Sequence, residues 1–244
     1  MPIPSHLAAN WSDIRRRVDA ACREAGRDPA GVSILPVSKT FGPELIREGV
    51  ALGMHRFGEN KVQEIRDKAP LLADCGIDWV MIGHLQTNKA KDVARLASEV
   101  QSLDRLELAE ALDRRLQHEG RAIDVLVQVK TSSEPSKYGL SPEQLTGFLN
   151  SLRHYASLRV RGLMTLAIHS TDPVEIRGCF RRLRELRDQA VAQGHDLERL
   201  SMGMSGDFPL AIAEGATELR IGTAIFGRRP YPDSYYWPET PGNR

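Results

Sequence analysis

A chain with eight short β-type runs and helical segments between them has few folds open to it. In this 244-residue sequence the β-type runs are Ser33 to Thr40, Met54 to Asn60, Asp78 to Gly83, Glu99 to Leu103, Ile123 to Val129, Leu158 to Met164, Arg199 to Met204 and Glu218 to Phe226. Each is short and largely apolar, as a buried strand requires. Helical patterns separate them: Pro43 to Leu52, Lys61 to Ala73, Lys89 to Ala97, Asp104 to Glu119, a helix following Pro142, Pro173 to Ala192 and Gly206 to Glu214. A further helix, Ala8 to Ala25, precedes the first strand and stops at Gly26. Leu108, Leu112 and Leu116 recur at four-residue spacing and read as a core-facing stripe. Such alternation implies parallel strands joined by helical crossovers. A closed barrel of this kind typically takes about 250 residues. The expectation is therefore α/β, a single (β/α)8 TIM barrel over residues 1–228 with an N-terminal helix, and an irregular tail over 229–244 rich in Pro, Tyr and Trp. No GxGxxG occupies the first strand-to-helix turn, so an open dinucleotide-binding sheet has no anchor.

Composition narrows the function. With 41% hydrophobic and 27% charged residues and a net charge of +1, nothing marks a nucleic-acid footprint or a polybasic membrane anchor. Met1 to His6 shows no basic region leading into an apolar one, and no apolar run approaches the ~20 residues of a membrane helix. A cytoplasmic location is expected, with no nucleic-acid or membrane partner. Cys22, Cys75 and Cys179 are widely spaced without CxxC, which argues against disulfides and a cysteine zinc site. The arginines at 15, 16, 17 and 23 read as a solvated helix face.

In a βα barrel the chemistry gathers where the strands end, and phosphate commonly binds after the seventh and eighth strands. Ser38, Lys39 and Thr40 close the first run. A lysine near its ordinary pKa of ~10.4 is a poor nucleophile, and one deprived of water can attack a carbonyl. Asn60 and the segment from His84 to Lys89 end the second and third, and the longest polar loop, Lys130 to Gly139, follows the fifth. After the seventh, Met204-Ser205-Gly206-Asp207 offers a hydroxyl and free N–H groups at a helix start, a setting that favours an anion. On the eighth, Arg220-Ile221-Gly222-Thr223 adds close backbone approach and a second hydroxyl. Singly, Ser205 is as well read as a helix cap, and Arg220 and Lys39 as ion-pair partners. In one register of one barrel they point to a phosphorylated aldehyde held by the amine.

Six ordered segments, Val37 to Thr40, Phe57 to Asn60, Ile82 to Gln86, Arg161 to Thr165, Leu200 to Ser205 and Arg220 to Gly227, resemble the pyridoxal phosphate homeostasis family, YggS-type proteins whose barrel is similar to the N-terminal domain of alanine racemase. The resemblance implies pyridoxal 5'-phosphate (PLP) as cofactor, carried on Lys39 as an internal aldimine. It places Asn60, His84 and Met164 around the cofactor, Ser205, Gly222 and Thr223 at the phosphate, and Arg220 facing the pyridine nitrogen. It implies a non-catalytic carrier in PLP homeostasis, with PLP-dependent apoenzymes as partners and a monomer or weak homodimer as the assembly. The sequence departs from the family pattern at Lys61, Val80 and Lys130, the last of which alters charge near the pocket mouth. The racemases bring a tyrosine from a second domain of a partner subunit, and this chain is read as ending with the barrel. A PLP-dependent racemase or aldolase, with His84 as acid-base group, is the alternative. A cofactor-free aldolase using Lys39 is the third reading.

Overall fold

In the computed structural model of the protein, residues 6–132, 134 and 138–227 are described. The expected 229–244 tail lies outside them. Eight strands form one parallel sheet: β1 (Ser33–Pro36), β2 (Arg56–Glu59), β3 (Asp78–Met81), β4 (Ala97–Leu103), β5 (Ile123–Gln128), β6 (Leu158–Met164), β7 (Arg199–Ser201) and β8 (Glu218–Ile221). Consecutive strands pair from β2 through to β8, and β8 pairs back onto β1 with Leu35 opposite Arg220. The remaining seam, between β1 and β2, is closed by a parallel bridge from Val37 to Gly58 and by the Ser38 N–H donating to the Gly58 carbonyl at 3.1 Å. This is the α/β barrel that the alternation implies.

Nine α-helices lie among the described residues: α1 (His6–Glu24), α2 (Pro43–Ala51), α3 (Val62–Lys68), α4 (Ala90–Leu96), α5 (Leu106–His118), α6 (Leu145–Leu152), α7 (Pro173–Ala192), α8 (Phe208–Ala213) and α9 (Thr223–Phe226). Their apolar stripes turn inward; Leu108, Leu112 and Leu116 of α5 are completely buried. The first helix packs against α8, α9 and α2, and so covers the outside of the β8–β1 junction. The Asn10 side-chain amide of α1 donates to the Ile225 carbonyl at 3.0 Å, and Arg27 just beyond α1 donates to the carbonyls of Ile212 and Ala216.

Several boundaries differ from the sequence reading, the first run among them, whose strand ends at Pro36 and not at Thr40. The eighth strand, expected to run to Phe226, stops at Ile221, and Thr223 to Phe226 form the single turn α9. Gly222 leaves the extended region (φ −111°, ψ −78°), and its carbonyl accepts from the N–H groups of Ile225 and Phe226. The seventh strand ends at Ser201, two residues before Gly203, which adopts φ +94°. A side chain at Gly203 would also collide with Ala211. The helix expected over Lys61 to Ala73 is α3 followed by a 3-10 stretch, Ala69–Cys75. Pro70 supplies no N–H to continue the α ladder.

Neighbouring strands approach so closely at Gly162 that a Cβ there would overlap the Arg199 backbone of β7. Backbone cannot yield as a flexible side chain would. Gly162→Ala is expected to lower unfolding free energy by about 3 kcal/mol, read as a lower midpoint in urea denaturation with the slope unchanged.

Candidate functional site

All eight residues singled out from the sequence lie at the end of the barrel where the parallel strands terminate. Lys39 comes one residue after the seam, so closing the barrel sets its backbone between β8 and β2. Asn60 directly follows β2, and its backbone passes so near Gly83, beyond β3, that any Cβ on residue 83 would clash with it. Ser205 follows β7, Arg220 lies within β8, and Gly222 and Thr223 lead into α9. Thr223 thus sits at a helix start and not on the strand. Met164 ends β6 and is completely buried, so it offers no exposed surface at the rim.

Two loops meet at one corner of the rim. The Ser205 hydroxyl accepts from the Ala224 N–H at 3.3 Å, which ties the turn after β7 to the start of α9. The α8 cap is Asp207, so Ser205 is not the cap of that helix. Among the described residues no acceptor engages the backbone N–H groups of Ser205, Gly206, Gly222 or Thr223. Unsatisfied backbone donors of this kind are what an oxyanion requires. The Asp207 carboxylate is turned back onto the Met204 N–H.

Arg220 is the buried cation below this corner. It is 4% exposed, donating to the Ser201 hydroxyl and to the Thr165 carbonyl, each at 2.7 Å. Burial pushes its guanidinium down to about 10, which still leaves it charged at neutral pH. Beneath it a polar ladder runs through the barrel interior. The Ser201 hydroxyl donates to Gln101 Oε1 at 2.7 Å, and Gln101 Nε2 donates to both Glu99 and Glu218. These two carboxylates are held by Arg56 and Arg199 at 2.8–2.9 Å. Burial would raise Glu218, but the two arginines outweigh it and hold the carboxyl below its usual range. Every oxygen of the ladder is committed, so the orientation of Ser201, and with it that of Arg220, is set from below.

His84 lies in the loop after β3. Its ring stacks on Tyr138 with centroids 3.8 Å apart, and its Nδ1 is 3.7 Å from Asp104. Burial depresses its pKa, so the imidazole is neutral at physiological pH.

A second buried cluster lies against the lysine turn. Glu59 is completely buried, accepting from the Ser38 hydroxyl at 2.6 Å and from Lys68 Nζ at 2.7 Å, while Lys68 also reaches Glu64 at 2.8 Å. The second Glu59 oxygen has no partner among the described residues. Burial pushes this carboxyl up to about 7.

Sequence reading missed both clusters, although each left a trace. Glu99-Val100-Gln101, Arg199-Leu200-Ser201 and Glu218-Leu219-Arg220 put polar groups at alternate strand positions, which sends one polar face inward. Glu64 and Lys68, four apart on α3, share a helix face.

The class defined by this barrel and rim agrees with comparison to known proteins. The family model described as "Alanine racemase, N-terminal domain" matches residues 5–230. The pyridoxal phosphate homeostasis protein of Aquifex aeolicus is 41% identical over 221 residues, spanning 90% of this chain and 97% of that protein. That of Pseudomonas aeruginosa is 40% identical over 227 residues, 93% and 97% of the two chains. PipY of Synechococcus elongatus, solved with PLP bound, is 35% identical with a TM-score of 0.81, covering 91% of this chain and all of PipY. The alanine racemase of Clostridium difficile shares the fold at 14% identity and a TM-score of 0.68, and this chain covers 58% of it. The chain belongs to the alanine racemase N-terminal domain family and, within it, to the pyridoxal phosphate homeostasis proteins.

The Glu59 carboxyl binds its proton more tightly folded than unfolded. Its contribution to stability is complete below its ordinary value of 4.5 and is lost as pH rises through about 7. Glu59→Gln, which cannot ionise, is expected to melt like the wild type near about pH 5 and above it near about pH 8, as followed by circular dichroism.

Proposed function

We propose that this chain holds PLP reversibly through Lys39 and works in intracellular PLP homeostasis as a cytoplasmic carrier, with PLP-dependent apoenzymes as recipients. The observation that carries the reading is that one barrel rim collects a primary amine, four uncommitted backbone donors and a buried cation.

These groups fit PLP. When bound, PLP supplies an aldehyde that can condense with a primary amine, an aromatic nitrogen and a phosphate dianion. The N–H groups of Ser205, Gly206, Gly222 and Thr223 would take the phosphate without a charged side chain, while the Thr223 hydroxyl stands beside them. Gly222 lets the backbone pass close to β1, since a Cβ there would come within 3.3 Å of the Val37 carbonyl oxygen. Arg220 would face the ring nitrogen. Being a cation, it disfavours a proton on that nitrogen and so weakens the electron withdrawal on which amino-acid chemistry depends. Asn60 and His84 would bound the ring from the β2 and β3 loops.

The carrier reading draws on two further points. Relatives whose length this chain spans almost completely carry the homeostasis name. The His84 ring stacks on Tyr138 at 3.8 Å, as a side chain that bounds a ligand would.

Purified protein mixed with PLP is expected to develop the visible absorption of a pyridoxyl chromophore. Borohydride should bleach it and leave a label on Lys39, and Lys39→Ala should show neither. Racemisation or cleavage of amino acids by the loaded protein, abolished in Lys39→Ala, would overturn the carrier reading.

A further inference from the structure

The backbone on each side of Lys39 is held by side chains that have no place in the PLP contacts above. On the near side, the Ser38 carbonyl accepts from Lys68 Nζ at 3.0 Å and from the Phe41 N–H at 3.1 Å. On the far side, the Thr40 N–H donates to Glu64 Oε2 at 2.6 Å. That same oxygen accepts from Lys68 Nζ at 2.8 Å. One ammonium group, its side chain 10% exposed, thus joins the anchors before and after residue 39. Phe41 completes the turn by packing on Phe226 of α9, ring centroids 5.3 Å apart.

What these anchors hold is an unfavourable conformation. Thr40 sits at φ +72°, alone among described non-glycine residues in having a positive φ. For a β-branched residue this costs about 1–2 kcal/mol, and the buried Thr40 hydroxyl has no partner among the described residues. Withdrawing Lys68 and Glu64 from water adds a further cost, and a buried ion pair is often no more stabilising than apolar packing. Strain and desolvation confined to one turn are explained if the turn must keep one shape.

We infer that Glu64 and Lys68 are positioning residues for Lys39: they lock the Ser38–Thr40 turn and fix the direction from which the amine reaches the aldehyde. The inference rests on the PLP reading and deepens it. Condensation forms a C=N bond from a deprotonated amine and releases the carbonyl oxygen as water, so the attacking nitrogen must lie close to the carbonyl carbon. A misplacement of about 1 Å between held groups can cost about a hundredfold. Phosphate and ring contacts come from other loops and do not depend on this turn.

The test separates the two kinds of binding. PLP attachment is followed by the visible chromophore and by borohydride labelling of Lys39. Pyridoxine 5'-phosphate, which carries an alcohol in place of the aldehyde, reports ring and phosphate binding alone. Glu64→Ala is expected to slow and weaken PLP attachment by about tenfold or more, with pyridoxine 5'-phosphate affinity held within about twofold. Glu64→Gln, which keeps an acceptor for the Thr40 N–H, should recover most of the attachment. Glu64→Met, which keeps the side-chain bulk but offers the Thr40 N–H no acceptor, should likewise attach PLP more slowly; it decides the matter if Glu64→Ala fails to fold. Unchanged attachment in the folded variants, or equal loss of both ligands, would overturn the inference. Wild-type protein that gave no label on Lys39 would instead end the PLP reading itself.

Discussion

The structure depends on the closure of one seam. β1 is short, and its register places Leu35 opposite Arg220 of β8. Only by reaching on to Val37 and Ser38 does the chain bond Gly58 and join β2. Without that bridge the sheet would keep two open edges, each a row of unpaired backbone groups. With it, the residue that follows is set at the meeting point of the first, second and eighth strands. The lysine, the Asn60 loop and the Gly222 loop become neighbours on one rim because the barrel is closed there.

Closure also creates an interior that must be filled. This one is polar along part of its height, with two carboxylates, two arginines, a glutamine and a serine bonded in sequence up to Arg220. Burying these groups is costly unless each finds a partner, and removing one partner of such a pair typically costs about 3–5 kcal/mol. The ladder is accordingly an all-or-none arrangement. Its upper end presents a cation at a fixed position in the site, and its lower end ties β2, β4, β7 and β8 together across the barrel axis.

The same barrel serves racemases at low sequence identity, so the fold alone does not choose between catalysis and carriage. The distinction lies in what surrounds the amine. Arg220 remains cationic despite its burial. His84 is stacked and neutral. The turn that carries the amine is kept in a strained conformation by Glu64 and Lys68.

Strand and helix alternation, the inward stripe of α5 and the collection of Lys39, Ser205, Arg220 and Gly222 at strand ends were all legible in the sequence, because periodicity and parallel connection are local properties and a parallel barrel sends every strand end to one side. Other features were decided only by folding. The Gly222 backbone turned the expected end of the eighth strand into a helical turn. Gln101 was committed to two carboxylates more than a hundred residues apart in the chain, one on β4 and one on β8. Thr40 was forced into a left-handed conformation that its own residue type disfavours. At Thr40 a contact with Glu64, twenty-four residues on, outweighs a local preference of about a kilocalorie or two, and no short window of sequence contains both partners of such a contact.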